Sequence, residues 1–183
     1  MGRIFIYGAP GAGKSSTSRY LKLSLNYPLI DGDFIKECIA RLAKTEVEEP
    51  FLYVGAKEAW CKFGAFSEQN VIKGLMAARG AAKVFLDNEL SLYGRNLILE
   101  GSMLDLHYSK LGKSFLIVTK GEDKHRRQFF KDRAKTLENE QSFQASRIIQ
   151  EQLIKEANNH NIEIVSNTTG PADLSRELAS RCR

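Results

Sequence analysis

This sequence predicts an α/β fold of three layers, with helices on both faces of a five-stranded parallel sheet. Three observations carry that prediction. Short apolar runs alternate with helical stretches along the chain, the order that builds a parallel sheet. The first run feeds directly into the glycine-rich loop Gly8-Ala9-Pro10-Gly11-Ala12-Gly13-Lys14-Ser15. Two further runs end abruptly in carboxylates, Asp31 with Asp33 and then Glu100, at the strand ends where open parallel sheets bind ligands.

Arg3 to Tyr7 reads as the first buried strand, and Ser16 to Asn26 as the helix after the loop. Pro28-Leu29-Ile30 leads into Asp31-Gly32-Asp33 as a second strand, and Phe34 to Leu42 as a helix. Lys44 to Gly55 reads as a loop; Ala56–Phe63 and Glu68–Tyr93 read as helices. In the longer one Val71, Leu75, Ala78, Ala82 and Phe85 recur at helical spacing, which marks a core stripe. Asn96 to Gly101 is the third strand and Lys113 to Thr119 the fourth. Glu122 to Lys135 is a very basic helical segment, and Phe143 to Asn158 a helix with Ala145, Ile149, Leu153 and Ala157 on one face. Ile162 to Val165 is the fifth strand, and Pro171 opens a last helix from a favoured first-turn position.

The glycine-rich loop fits G-x-x-x-x-G-K-[ST], the Walker A phosphate cradle, and lies between a strand and a helix as the mechanism requires. Backbone N–H groups and the positive end of the helix dipole there face an anion. Residues Gly8 to Ser16 are the candidate nucleotide-binding set. Lys14 is placed to reach the β- and γ-phosphates, and the Ser15 hydroxyl to hold Mg2+. Asp33 is the candidate base that orients an acceptor hydroxyl, with Asp31 as its assistant or as a magnesium-side carboxylate. Capping of the following helix is the competing role for either aspartate. Glu100 is the third metal candidate, with binding of the acceptor as its other role; pairing with Lys14 or an arginine competes with both. Gly101 after it leaves room for a ligand near the backbone.

Lys124, His125, Arg126, Arg127, Lys131, Arg133 and Lys135 crowd one segment. A lid over about 121–141 that supplies Arg126, Arg127 or Arg133 to the transferred phosphoryl group is one reading; a solvated face or a nucleic-acid surface are the others. Arg147 follows as a possible phosphate-facing residue. Tyr53 and Trp60 fall in the acceptor-side region 34–93, where either aromatic suits an acceptor and Trp60 also suits the core. His107, His125 and His160 show no metal spacing and read as surface or boundary residues.

The 183 residues suit one domain, and 43% hydrophobic with 27% charged residues is the balance of an ordinary globular chain. Cys38, Cys61 and Cys182 form no metal or disulfide pattern, which suits a reducing, cytoplasmic setting. The first strand begins at once, so no signal peptide is expected, nor any membrane span. A net charge of +5 suits phosphate handling or a polyanionic partner.

With these residues in hand, the chain resembles the 2-phosphoglycerate kinase family of P-loop kinases. The resemblance rests on GAPGAGKSS at Gly8–Ser16, Asp31-Gly32-Asp33, Glu100-Gly101-Ser102, the basic stretch His125–Thr136 and, most specifically, Phe143 through Asn167. Small kinases of bacterial viruses that phosphorylate 5-hydroxymethyluracil in DNA are similar to the same family. The resemblance implies a nucleoside-monophosphate-kinase-like fold with a lid, ATP with Mg2+, and phosphorylation of a hydroxyl. The acceptor it implies is a small hydroxy acid or a hydroxymethylated base in DNA. A nucleotide-dependent, nucleic-acid-binding ATPase or switch is the alternative.

Overall fold

A computed structural model describes residues 2–131, 133, 134 and 136–182. Five strands, β1 (Arg3–Tyr7), β2 (Leu29–Asp31), β3 (Leu97–Gly101), β4 (Gly112–Val118) and β5 (Glu163–Ser166), form one sheet in the order β2-β3-β1-β4-β5. Every neighbouring pair is parallel. Parallel pairing requires crossovers, and the helices that supply them cover both faces.

The pleat sorts the strand residues between two cores. Ile4, Ile6, Ile98, Phe115 and Ile117 pack with Leu21 of α1 (Lys14–Leu25) and with Leu174 and Leu178 of α7 (Pro171–Cys182). Phe5, Tyr7, Leu97, Leu99, Leu116 and Val118 face the other way. There they meet Val71, Leu75, Ala78 and Ala82 of α4 (Glu68–Leu92) and Ala145, Ile149, Leu153 and Ala157 of α6 (Leu137–Ala157). The core stripes read from spacing are therefore buried, except that Phe85 is only partly covered and Leu86, 1% exposed, takes its place. A buried ion pair, Arg79 to Glu156 at 2.9 Å, joins α4 to α6.

Between β2 and α4 the chain is less regular than its pattern suggests. The helix after β2 starts at once as α2 (Gly32–Phe34), continues as a π-helical stretch Ile35–Ala40, and closes as α3 (Arg41–Ala43). Two 3-10 turns follow, Pro50–Leu52 and Ala59–Phe63. The second lies directly across α4 at Gly74, where a Cβ would come within 2.6 Å of the Trp60 backbone nitrogen. Trp60 is partly buried and packs against the core, edge-on to Phe66 with centroids 5.1 Å apart. Gly74→Ala is expected to destabilise the fold by about 1–3 kcal/mol through overpacking against an unyielding backbone. It does so despite the roughly 1 kcal/mol that alanine gains over glycine in helix propensity; urea unfolding checks this.

The basic helical segment is shorter than its pattern suggests. α5 (Glu122–Phe129) stops at Phe129, because Phe130 turns out of helical geometry and packs edge-on against Phe129. Conversely α6 begins six residues before Phe143, capped by the Thr136 side chain, which accepts from the Asn139 N–H at 3.2 Å. Lys135 lies outside the described residues. Among those described, no helix is long and apolar enough to cross a membrane.

Candidate active site

The loop after β1 has the shape its glycines allow. Gly11 and Gly13 sit at φ +82° and +92°, a region costly for any residue with a Cβ. At Gly11 a Cβ would also meet Phe129 at 3.1 Å. The N–H groups that open α1 consequently face outward at the carboxyl edge of the sheet.

Two carbonyls of this loop are tied to the second half of the chain. The Pro10 carbonyl accepts from the Ser146 hydroxyl at 2.6 Å and from His125 Nε2 at 2.9 Å. The Ala12 carbonyl accepts from the Asn167 side-chain amide at 3.1 Å and from the Thr119 hydroxyl at 3.4 Å. Gln150 in turn holds the Thr119 backbone at both N–H and carbonyl. These ties, with the Ala12 N–H donating to the Ala9 carbonyl at 3.1 Å, hold the loop in place from behind. His125 is thus not a boundary residue. It is fully buried, stacks edge-on against Phe143, and supports the loop. Burial holds its pKa below the usual imidazole value, the Pro10 contact opposes that, and Arg147 reinforces it. Since Pro10 offers only an acceptor, Nε2 carries the proton, and Nδ1 is left buried without a partner among the described residues. His107 is exposed and His160 half-buried.

Lys14 is buried, with Nζ 3.9 Å from Glu100 Oε2. Glu100 is 2% exposed, and that oxygen has no hydrogen-bond partner among the described residues. Burial raises the Glu100 pKa above the usual carboxyl value; Lys14 pulls it down, Asp31 pushes it up, and the Ser15 hydroxyl pulls it down. Asp31 lies beside Glu100 in the β2–β3 register. Its Oδ1 is engaged in capping α2, accepting from the N–H groups of Asp33 at 2.9 Å and Phe34 at 3.3 Å. The cap leaves Asp33 on the first turn, facing a cleft. Gly101 does not open space for a ligand: a Cβ there would meet the Leu104 side chain at 3.1 Å.

Two clefts meet over the loop. The first, about 480 Å³, is lined by Asp33, Lys36, Arg41, Tyr53 and Lys57. The second, about 410 Å³, is lined by Gly13, Ser16, Gln128, Lys131 and Asn167. Gly11, Lys14, Ser15 and Arg133 line both. Of the candidate arginines, only Arg133 reaches the clefts. Its guanidinium lies 4.5 Å from the Phe129 ring centroid and donates to the Phe129 carbonyl. Arg126 is turned away: it forms a forked pair with Glu140, one arm at 2.8 Å, and stacks over Phe143. Arg127 is exposed and lines neither cleft. Arg147 also lies outside both, within 3.8 Å of Glu151.

No protein-family model matches this chain, and no curated protein matches it. Solved structures do. Shikimate kinase from Bacteroides thetaiotaomicron superposes with a TM-score of 0.64 at 18% identity, covering 98% of this chain and 97% of that one. Shikimate kinase from Acinetobacter baumannii, in complex with shikimate, gives 0.58 at 19% identity, covering 99% and 92%. A gluconokinase from Sinorhizobium meliloti 1021 gives 0.50 at 18% identity, covering 98% and 90%. The chain therefore has the P-loop kinase fold of the nucleoside-monophosphate-kinase type.

Proposed function

We propose that this protein is an ATP-dependent kinase that transfers the γ-phosphoryl group to a hydroxyl of a small acceptor, such as a 2-phosphoglycerate-like hydroxy acid. The observation that carries this reading is the pair of clefts sharing Gly11, Lys14, Ser15 and Arg133. A nucleotide-dependent switch needs only one of them. A kinase needs a second chamber that opens on the terminal phosphate and holds a carboxylate for the acceptor, and Asp33 lines that chamber.

Gly8 to Ser16 would hold the triphosphate. The partnerless buried oxygen of Glu100, beside Lys14 and close to Ser15, suits Mg2+, which Ser15, Glu100 and Asp31 would hold directly or through water. Bound there, the metal would neutralise charge on the β- and γ-phosphoryl oxygens. Asp33 takes the proton from the acceptor hydroxyl as its oxygen bonds to the γ-phosphorus. The bond to the β-γ bridging oxygen breaks, and ADP leaves. Lys14 and Arg133 hold the negative charge on the transferred group.

The charge placement in the lid of this reading, about 121–141, also favours a small acceptor over DNA. Among the described residues, three of its five Lys and Arg side chains are engaged within the chain or its clefts, while Arg127 and Lys131 are exposed. Lys124 binds the carbonyls of Asn167 and Thr168, Arg126 pairs with Glu140, and Arg133 turns into the clefts. A DNA track would need those charges facing outward. Arg133→Ala is expected to cut kcat by about 10³-fold, in the range of arginine fingers, with little change in ATP affinity. Steady-state kinetics beside direct ATP titration measures both.

The deciding experiment traces γ-labelled ATP with Mg2+ in a mixture of 2-phosphoglycerate and DNA containing 5-hydroxymethyluracil, with Lys14→Ala as control. Label in the small acid supports the proposal. Label on DNA keeps the kinase and overturns the small acceptor. Label released only as free phosphate overturns transfer in favour of an ATPase.

A further inference from the structure

We infer that Lys36 and Arg41, backed by Lys57, form an anion-binding subsite that reads a carboxylate or phosphate group of the acceptor. The inference rests on the kinase reading for the word acceptor, and on the cleft itself for the anion. All three cations line the acceptor-side cleft, and none lines the nucleotide-side one.

Lys36 is the central observation. It is 1% exposed, and its ammonium has three donors. Among the described residues its one hydrogen bond runs to the Val54 carbonyl at 2.6 Å. A buried charge without an ionic partner is costly and is retained where something arrives to compensate it. Arg41 is similarly half-committed. Its Nε donates to the Leu52 carbonyl at 3.0 Å, and its guanidinium lies 5.0 Å from the Tyr53 ring centroid. Those contacts fix the plane and leave the two terminal nitrogens without a hydrogen bond among the described residues. Tyr53 is anchored in turn, donating to the Lys44 carbonyl at 2.8 Å.

The charges of the cleft do not cancel. Lys14, Lys36, Arg41, Lys57 and Arg133 face it against the carboxylates Asp33, Glu37 and Glu58. Glu58 is paired with Lys57, Glu37 is exposed, and Asp33 is the candidate base. The excess of cations lies on the acceptor side of the P-loop. Burial lowers the Lys36 pKa, Asp33 and Glu37 oppose this, and Arg41 adds to it; burial, then Arg133, lowers that of Lys57. An anion seated between these groups relieves their mutual repulsion. A neutral polyol does not.

The test titrates inorganic phosphate into the protein loaded with Mg2+ and a non-hydrolysable ATP analogue, so that the P-loop and the γ-phosphate seat are already filled. Calorimetry is expected to show one further phosphate site. Lys36→Met and Arg41→Gln should each weaken it roughly tenfold or more, as for loss of a charged hydrogen bond, with analogue affinity unchanged. Lys36→Met should also unfold at the same or a higher temperature without ligand, because it removes an uncompensated buried charge. A purely structural lysine would instead give a less stable variant. Absence of phosphate binding to the loaded protein, or binding that neither variant weakens, overturns the subsite. Replacing phosphate with sodium acetate separates carboxylate from phosphate preference. Tighter binding of hydroxymethylated DNA, lost in the same variants, would overturn the small-anion assignment. Failure of the analogue itself to bind would overturn the kinase reading instead; phosphate titrated into Lys14→Ala would then still read Lys36 and Arg41 alone.

Discussion

Asp33→Asn is expected to lower kcat by about 10²–10⁴-fold, the usual worth of a positioned base, while ATP binds almost normally. The split follows from geometry. Asp33 lines the acceptor-side cleft and not the nucleotide-side one, so its loss leaves the phosphate cradle untouched. Asparagine keeps the shape and can still accept a hydrogen bond from the acceptor hydroxyl, but it cannot take the proton. KM for the acceptor should therefore move far less than kcat. The Asp31 cap reaches the backbone N–H of residue 33 and not its side chain, so the local helix start is preserved. Normal turnover in this variant would remove Asp33 from the role of base. A parallel loss of ATP affinity would show that it acts on the nucleotide instead.

Lys14→Ala has two expected consequences that separate its two roles. ATP affinity should fall roughly 10- to 100-fold, the worth of a charged hydrogen bond to phosphate. Turnover should fall further if, as proposed, the same ammonium serves the transferred group. The second consequence concerns the empty protein. Lys14 is the cation beside Glu100, whose carboxyl is already raised by burial. Breaking a buried pair on one side costs about 3–5 kcal/mol unless the remaining group neutralises. Glu100 can neutralise by taking a proton. In the folded wild-type protein it holds its proton to a higher pH than in the unfolded chain. The stability it contributes is complete below the ordinary carboxyl pKa and is lost as pH rises through the folded value. Removing Lys14 raises the folded value further, so Lys14→Ala should lose stability progressively over a wider range above the ordinary carboxyl pKa. Chemical unfolding at a series of pH values tests this. A constant offset from wild type at every pH would show that Glu100 does not respond to Lys14.

The strands and the glycine-rich loop are legible in the sequence because their signals are local. The unbroken apolar run Ile4-Phe5-Ile6-Tyr7 marks two covered faces, and the spacing of Gly8, Gly13 and Lys14 marks the glycine-rich loop that opens α1. The two helical stripes are legible for the same reason. What stays hidden depends on partners far along the chain. Nothing near His125 announces that it supports Pro10, 115 positions earlier. Arg126, Arg127 and Arg133 look equivalent in a basic run; only Glu140 and the turn after Phe129 separate them. Lys36 and Arg41 resemble ordinary helix cations until burial and the Val54 and Leu52 carbonyls are known. Asp31 carries a signal that points two ways, since a carboxylate suits a helix start and a metal equally.

The ties on Pro10 and Ala12 have a bearing on how the protein is made. The glycine-rich loop is complete by Ser16, yet it is braced by the much later Thr119, His125, Ser146 and Asn167. β1 itself lies between β3 and β4, both of which follow α4 in the sequence and are synthesised long after β1. A nascent polypeptide thus displays its signature long before it owns a site. Translation products that stop short of Asn167 should carry an intact motif and hold ATP poorly. Nucleotide capture would then report that synthesis has passed its last brace, so that the nucleotide of the proposed reaction would also be a late ligand of folding.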